Sequence, residues 1–491
     1  MDTSFFASTV HIGATADVRK DRSVKADVSG TINHSKRNIT FALLVATFLT
    51  AIDTTVISTA MPVIARELGG SELISWIFSI YLLTTAVTTP IYGKMADLFG
   101  RKRVFIFGTT VFLAGSFLCG LSGSMTQLLI FRGIQGLGAG AVQPITLTII
   151  GDVFSQEERA RLMGLFSAMW GVAGIVGPLV GGFFVDFVSW EWIFYINIPV
   201  GLVSLILIYR FFHEALTPRQ VHIDYAGAVL FMLSIGIFLY TLLEGGEQSG
   251  FVPEPRSLAL LGGSLLLFLL FLLVERRTSE PMLPIQLFRR PLLAVSQIVS
   301  LIQGAILIGS TAYLPIWLQD VQGYSATFAG LAVLPMSLGW PLAASFGGKL
   351  MLKSGYKRVA ILGAAALVLA SWFLALLTPA SPAWAVPVTV FVLGVGFGLS
   401  VTSITIAVQS SVAWQERGIV TGTLQFTRTI GQTVGVALLG AVLNWYLAKG
   451  DGGGLAAGLM AVFAVMLGAA LLSFALAWFL PRQAQRAESE G

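Results

Sequence analysis

The chain has 491 residues, of which 55% are hydrophobic and 11% charged, and its formal net charge is +5. A soluble domain carries about 25% charged residues, so the composition excludes a soluble enzyme. Nucleic-acid-binding proteins are also basic, but basic loops between apolar segments account for the excess here, and we expect no nucleic-acid partner.

About fourteen apolar segments follow one another along the chain, each close to the roughly 20 residues that cross a bilayer as a helix. Because their number is even, both termini should lie on the same side of the membrane. The segments begin near Thr40, Leu73, Val104, Thr126, Leu162, Trp192, Tyr225, Ser257, Leu292, Thr327, Val359, Ala383, Gly418 and Leu455. The sequence therefore predicts an all-α polytopic membrane protein.

Lysines and arginines lie almost entirely in every second loop between these segments. The opposite set of loops holds only Arg66, Arg256 and Lys449. Basic residues are retained on the cytoplasmic side of a membrane. We therefore predict a multi-pass protein of the inner, or plasma, membrane with both termini in the cytoplasm.

Two internal repeats predict how the chain is divided. The loop 93–103 recurs at 348–358, and Gly136-Leu137-Gly138 recurs as Gly396-Phe397-Gly398. Both repeats are eight segments apart, so segments one to six match nine to fourteen, and the pair between them is an insertion. The predicted parts are a disordered cytoplasmic tail (1–38), an N-terminal six-helix bundle (39–213), an inserted helix pair with a cytoplasmic linker (214–290), a C-terminal six-helix bundle (291–480) and a second cytoplasmic tail (481–491).

Asp53 lies inside the first apolar segment. An ionised carboxylate there costs roughly 2.5 to 3.5 kcal/mol and usually faces a bundle interior or water. Thr50 and Thr54 lie on the same helical face as Asp53, given their spacing. Asp53 is either a protonation or cation-recognition site in a central cavity, or a carboxylate that neighbouring hydroxyls satisfy without a role in transport.

Two further polar stripes cross apolar segments. Arg132, Gln135 and Gln143 lie along one stripe of the fourth helix, where a guanidinium keeps its charge and needs a partner. From the residues alone, Arg132 is interpreted as a structural side chain that donates hydrogen bonds to backbone carbonyls. Gln425 and Arg428 belong to a similar stripe in the thirteenth helix, which either faces the same cavity or packs against its neighbours.

The fifth segment is rich in small residues, among them Gly177, Pro178, Gly181 and Gly182. Small residues allow helices to approach closely in lipid, and a proline removes one backbone hydrogen bond. The pattern predicts close packing of this helix against its neighbours.

Five motifs occur in an order that resembles one family. The loop with Gly93, Asp97, Gly100 and Arg101 resembles G-x-L-A-D-R-x-G-R-K, the run from Arg132 to Gly136 resembles R-x-x-Q-G, and Gly177 to Gly182 resembles an antiporter motif of the fifth helix. Asp53-Thr54-Thr55 with Ala60-Met61-Pro62 resembles a first-helix motif, and the run from Trp190 to Asn197 resembles W-R-W-I-F-Y-I-N with Glu191 in place of arginine. The chain thus resembles the fourteen-helix drug:proton antiporter branch of the major facilitator superfamily.

This resemblance implies a major facilitator fold and export of lipophilic, cationic drugs or toxic compounds by alternating access, as in antibiotic resistance. It implies that Asp53 couples transport to protons, that Arg132 assists it, and that Asp97 belongs to a loop that latches the two halves together. The antiporter motif would shape the interface between the halves and limit leak.

A proton gradient would drive such an exporter, so we expect no cofactor and no metal. The expected partners are small-molecule substrates, protons and the lipid bilayer, and the expected state is a monomer. Two alternatives stay open, namely an exporter of a lipid or a specific metabolite, and a polytopic membrane enzyme. Asp186 and Glu191 are the only outer-face carboxylate pair that such an enzyme could use.

Overall fold

A computed structural model describes residues 14–214, 224–248, 255–278, 289–413, 417–448 and 454–481. In these ranges the chain is helical, and fourteen helical segments are long and apolar enough to cross a membrane. The predicted all-α fold and the number of spans are confirmed.

The helices fall into three groups along the chain. The first bundle contains α1 (Ala14–Leu68), α2 (Ile74–Phe99), α3 (Arg101–Gly120), α4 (Met125–Val153), α5 (Gln156–Phe187), α6 (Trp192–Tyr195) and α7 (Asn197–Phe211), of which α6 and α7 form one span. The inserted pair is α8 (Tyr225–Gln248) and α9 (Pro255–Arg277). The second bundle contains α10 (Pro291–Ile316), α11 (Ala326–Ser354), α12 (Tyr356–Ala375), α13 (Ala385–Ser410), α14 (Arg417–Ala448) and α15 (Gly454–Ala477).

The structure differs from the predicted tail at the start of the chain. Helix α1 begins at Ala14, inside the segment 1–38 that we expected to be disordered, although the apolar span itself begins only at Lys36. Residues 1–13 lie outside the described residues, as do 482–491 of the second predicted tail and parts of the predicted linker, 215–223 and 279–288.

Both copies of the repeated loop turn in the same way. Gly100 has a φ of 93° and Gly355 a φ of 80°, and each precedes the first residue of the next helix, α3 or α12. Residues with a side chain avoid this left-handed region, so glycine is required at both turns.

The second repeat is shifted by two residues from the pairing that the sequence suggested. Gly138 packs against α3 and Gly136 against α2, whereas in the second bundle Gly396 packs against α12 and Gly394 against α11. Gly136 therefore corresponds to Gly394, not to Gly396. Glycines recur at every second residue in both segments, so the sequence alone fits either register.

Apart from a side cluster completed by the inserted pair, the described residues of the two bundles share a core at one end of the molecule. One cluster of buried residues joins Ile57 and Ile64 of α1 with Ile308 and Trp317 of the second bundle. At the other end, the described buried residues form separate clusters, one inside each bundle. The cleft between the bundles is thus closed at one face and open at the other, and the open face carries the arginine-rich loops. We call these the closed face and the basic face.

The inserted pair packs beside the cleft and contacts both bundles. Phe231 of α8 and Phe271 of α9 belong to one buried cluster with Leu83 of α2 and Ile430 of α14. The pair therefore covers the side of the cleft where α2 and α14 meet.

Candidate functional site

Asp53 in α1 and Arg132 in α4 form an ion pair inside the first bundle. Arg132 Nη1 lies 2.8 Å from Asp53 Oδ2, and each side chain is only 1% exposed. Removing two charges from water costs several kcal/mol per ion, and their attraction offsets this only when the remaining polar atoms are also hydrogen-bonded. Neighbouring side chains supply such bonds to the carboxylate, whereas Arg132 Nε is buried with no hydrogen-bond partner among the described residues.

Two amides donate to the other carboxylate oxygen. Gln135 Nε2 lies 2.7 Å from Asp53 Oδ1, and Asn197 Nδ2 lies 3.0 Å from the same oxygen. Arg132 Nη1 also donates to Gln135 Oε1 at 2.8 Å, so one guanidinium nitrogen serves two acceptors. Both carboxylate oxygens of Asp53 therefore accept hydrogen bonds, and bonds to a charged acceptor are roughly twice as strong as neutral ones.

The network continues from Asn197 to the next helices. Asn197 Nδ2 lies 3.0 Å from Ser116 Oγ in α3, and Ser116 donates to the backbone oxygen of Phe194 at 2.9 Å. Asn197 opens α7 and Phe194 lies in α6, so these bonds cross the break between the two helices. In the sequence, Asn197 stands out only as the last residue of the Trp190–Asn197 signature, and its contact with Asp53 was not predicted.

An aromatic ring covers the guanidinium. Arg132 Cζ lies 4.0 Å from the ring centroid of Tyr81 in α2 and 6.0 Å from that of Phe194. Such cation–π contacts are worth about 2 kcal/mol when the cation is desolvated. Helices α1, α2, α3, α4, α6 and α7 thus all contribute to the surroundings of one buried ion pair.

In this conformation the pair is buried in the interior of the first bundle, and the role of Asp53 in a central cavity stays a prediction. The Thr54 hydroxyl donates to the backbone oxygen of Thr50 at 2.8 Å, and Thr50 in turn donates to backbone oxygens of the preceding turn. These hydroxyls therefore bond to their own helix. Gln143 is partly exposed eight residues after Gln135, and no hydrogen bond of the described network reaches it.

Helix α5 uses its small residues to approach two different helices. Gly177 and Gly181 lie against α1, where a Cβ atom would meet side-chain and backbone atoms. Pro178 and Gly182 lie against α11 of the second bundle, and a Cβ atom on Gly182 would be 2.6 Å from Thr327 Cα. The motif therefore makes one contact within a bundle and one between the bundles.

Polar contacts also join the bundles at the closed face. Arg66 Nη1 lies 2.7 Å from Asp320 Oδ1, and Gln319 Nε2 donates to the backbone oxygen of Thr59 at 2.9 Å. The ion pair is partly exposed, and such pairs contribute about 0 to 1 kcal/mol. Contacts of this size favour the conformation in which this face is closed, but they do not prevent it from opening.

A carboxylate of the first bundle holds the start of a helix in the second. Asp186, near the end of α5, accepts hydrogen bonds from the backbone N–H groups of Ala326 and Thr327 at 3.3 and 2.8 Å and from the Thr327 hydroxyl at 2.6 Å. The first N–H groups of a helix lack partners within the helix, and a carboxylate there is favoured by about 0.3 to 1 kcal/mol. This contact, which the sequence analysis missed, is a latch between the bundles.

Arg101 contacts three carboxylates at the basic face. Its guanidinium lies 3.0 Å from Asp97, 3.0 Å from Asp152 and 3.6 Å from Glu214. Glu214 also accepts from the backbone N–H groups of Arg101 and Lys102 and so holds the N-terminus of α3. The sequence division had placed Glu214 in the inserted segment.

The predicted latch role of Asp97 is untested by this conformation. Its described ion pair is with Arg101 of the same bundle, and the bundles are apart at the basic face. Gly93 and Asp97 both lie in α2, which ends before the turn at Gly100, and a Cβ atom on Gly93 would meet nothing within 4 Å. The latch between the halves therefore stays a prediction.

The remaining predicted pair lies in α14. Gln425 is exposed and Arg428 is partly exposed, and Arg428 Nη1 lies 3.4 Å from Gln425 Oε1. Within the described ranges, no group of three or more His, Cys, Asp or Glu side chains could hold a metal ion.

A family model for the Major Facilitator Superfamily matches residues 43–436. The chain belongs to the major facilitator superfamily. It is 36% identical to the multidrug transporter protein MdtP of Bacillus subtilis over 84% of this chain and 76% of that protein. It is 34% identical to multidrug resistance protein 3 of the same bacterium over 83% of this chain and 80% of that protein. This major facilitator protein is therefore a transporter and not an enzyme.

Solved structures of other major facilitator proteins share the fold. A bacterial homologue of the human lysosomal transporter Spinster, in an inward-facing and occupied conformation, matches with a TM-score of 0.67 at 16% identity, over 92% of this chain and 99% of that one. A D-xylose–proton symporter matches with a TM-score of 0.64 at 15% identity, over 91% and 98% of the two chains.

We expect Arg132→Gln to destabilise this major facilitator protein by about 3 to 5 kcal/mol, because it leaves Asp53 buried without its partner. The double variant Asp53→Asn/Arg132→Gln removes both charges and should recover most of the loss. Thermal unfolding of the purified variants measures the difference, with Arg358→Gln, exposed at the basic face, as the control. A double variant as unstable as the single one would rule out the ion pair as the cause.

We expect Gly182→Val to open the closed face, because the added carbons meet the backbone of α11. Gly181→Val is the matched control, since its added carbons meet α1 within the same bundle and should lower stability instead. Spin labels at Arg103→Cys and Leu352→Cys, one on each bundle at the basic face, report the change, because the native Cys119 is buried. Identical label distances in Gly182→Val and the parent protein would contradict this role.

Asp186→Asn should shift the population away from the closed-face conformation. A loss of about 1 kcal/mol at a helix N-terminus changes the ratio of the two states about fivefold. Asp97→Asn should act in the opposite direction, since its predicted latch belongs to the conformation that closes the basic face. The same pair of spin labels measures both shifts, and a shift in the same direction for both variants would count against two opposed latches.

Proposed function

We propose that this transporter is a proton-coupled antiporter that exports lipophilic drugs or toxic compounds by alternating access. The observation that carries the proposal is the buried pair of Asp53 and Arg132, because Asp53 is the one carboxylate far from the ends of the described spans. The named multidrug transporters among its relatives support drugs as the cargo. A proton gradient would supply the energy, so the proposal needs no cofactor.

The bonding of Asp53 supports proton coupling. Its two oxygens accept three described hydrogen bonds, and a carboxylate offers about four lone-pair sites, so a proton has a place to bind. Once the carboxylate is neutral, the Arg132 guanidinium keeps its charge and is left without a counter-ion in a low-dielectric interior. Protonation of Asp53 thus favours a conformation in which Arg132 finds water or another acceptor.

The hydrogen bonds beyond Asp53 offer a way to pass this change to the closed face. Asn197 connects the carboxylate to Ser116, and Ser116 binds the backbone of Phe194. Phe194 lies in the core that the two bundles share. A displaced Asn197 would therefore disturb the packing that keeps the closed face shut.

The orientation of the transporter is part of the proposal. We place the basic face and both termini in the cytoplasm, and the protein in the inner or plasma membrane as a monomer, because the basic loops belong on the cytoplasmic side. The structure is then inward-facing. A proton that enters along a membrane potential gains roughly 2.3 kcal/mol per 100 mV, which suffices for an uphill step.

Export of a lipid or of a specific metabolite is the second candidate for the cargo. The exposed apolar surface of the inserted pair, where Leu265 is 59% and Leu266 58% exposed, faces the lipid in either case and does not separate the two. A transport panel that contains drugs and lipids distinguishes them.

We expect Asp53→Asn to abolish uphill efflux, because an amide forms hydrogen bonds but takes up no proton at neutral pH. Proteoliposomes with an imposed pH gradient test this with ethidium, N-phenyl-1-naphthylamine and a fluorescent phospholipid as cargo. Downhill movement of the same compounds should persist and serves as the control for folding. Uphill efflux by Asp53→Asn at the rate of the parent protein would end the proposal that Asp53 is the coupling site.

A further inference from the structure

A polar stripe on α14 repeats every three or four residues and so occupies one face of the helix. Its members are Thr421, Gln425, Arg428 and Gln432. On the opposite face, Phe426 and Ile430 pack in the cluster that α8 contributes to, and the rings of Phe426 and Phe231 are 5.5 Å apart. The stripe therefore points away from the inserted pair.

The flanks of this stripe contact helices of different bundles. On one flank, Gly431 lies against the backbone of Leu301 in α10. On the other, the backbone oxygen of Thr433 accepts from Ser79 of α2 at 3.5 Å. Because α2 belongs to the first bundle and α10 to the second, the stripe lies where the two bundles adjoin. Thr421, at its basic end, also accepts a hydrogen bond from Gln409 of α13 at 2.9 Å. Arg428 lies about 7 Å nearer the basic face than Thr433, at 1.5 Å per residue, in the open part of the cleft.

Arg428 has no acidic partner among the described residues. Its one hydrogen bond within the described ranges, to Gln425 at 3.4 Å, is long, and its Nε atom, like that of Arg132, is buried without a partner there. Arg132, in contrast, lies 2.8 Å from a carboxylate. An unpaired cation inside a membrane is costly, and such residues usually line the path of a substrate or ion.

The charged side chains near the middle of the described spans carry a net positive charge. In the described spans, only Asp53, Arg132 and Arg428 lie seven or more residues from both ends. Asp53 neutralises Arg132, so Arg428 remains as the net charge that faces the cleft. A low-dielectric cleft of one sign attracts molecules of the other sign and repels cations.

We propose that Arg428 and Gln425 bind the acidic group of the transported molecule, so that the cargo is a lipophilic compound with one carboxylate, sulfonate or phosphate group. The guanidinium forms charge-assisted hydrogen bonds with such a group, and the Gln425 amide adds a neutral one. This inference rests on the transport function proposed above, and it replaces the cationic cargo that the family resemblance implied. A soluble organic acid and the phosphate of an anionic lipid share this chemistry.

Two probes that differ only in a sulfonate group test the site. 1-Anilinonaphthalene-8-sulfonate carries the acid, and N-phenyl-1-naphthylamine is the neutral counterpart. Binding of each is measured by equilibrium dialysis against the full chain in lipid nanodiscs, with empty nanodiscs subtracted. Arg428→Gln should weaken binding of the sulfonate at least tenfold and leave the neutral probe unchanged. Arg358→Gln removes the same charge at the surface and should change neither.

Retained binding of the neutral probe shows that Arg428→Gln is folded. Should this variant fail to fold, Gln425→Glu keeps the arginine and supplies it with an internal carboxylate, and it should weaken binding of the sulfonate by a similar factor. Unchanged sulfonate binding in either folded variant, or an equal loss of both probes in a folded protein, would overturn the proposal.

Two further comparisons show whether the acidic ligand is a lipid or a soluble compound, and whether the binding site or the antiporter function has been refuted. Nanodiscs with phosphatidylglycerol should lower sulfonate binding to the parent protein, but not to Arg428→Gln, when a lipid phosphate is the natural ligand. No such competition identifies a soluble acid. The binding assay needs no proton gradient, so it is independent of the transport assay. A protein that binds the sulfonate through Arg428 but shows no proton-driven efflux would refute the antiporter function and leave the binding site standing.

Discussion

A charge in the interior of a membrane protein needs a partner, and in the first bundle this constraint is met by the contact between Asp53 and Arg132. The carboxylate and the guanidinium draw hydrogen bonds or ring contacts from α1, α2, α3, α4, α6 and α7. In the second bundle, uncharged side chains join the corresponding helices. Gln303 of α10 donates to Ser400 of α13 at 2.6 Å and lies 3.4 Å from Ser473 of α15. The two halves thus share a fold, but among the described residues only the first has a carboxylate at the centre of its polar network.

The contacts between the bundles are weak one by one. The ion pair of Arg66 and the helix-end contact of Asp186 are both exposed, and each is of the order of 1 kcal/mol. The shared apolar core and the glycines of α5 add close packing without directional bonds. A small energy difference between closed and open forms is what a carrier needs, because it has to pass through both forms in every transport cycle.

The span count, the all-helical fold and the family could be predicted from the sequence, because hydropathy and motif order are properties of the chain itself. The partners of each site residue could not. Helical spacing placed Asp53 and Arg132 on polar faces, but it does not say which helices these faces meet, so their pairing and the role of Asn197 were missed. The glycine register was wrong because the repeated glycines fit two alignments, and Glu214 was missed because it lies just beyond α7.

The inserted helices make the two sides of the cleft mechanically different. On one side, α8 fills the seam between α2 and α14 with side chains such as Leu83, Phe231 and Ile430. Hydrocarbon contacts of this kind have no preferred direction, so the seam can shear by small steps while staying sealed against lipid. On the other side, α5 meets α11 backbone to backbone at Gly182 and Gly330, where a small displacement already changes the fit. A rocking motion of the bundles would therefore pivot where α5 meets α11 at these glycines. The bundles would slide past each other where α8 fills the space between α2 and α14.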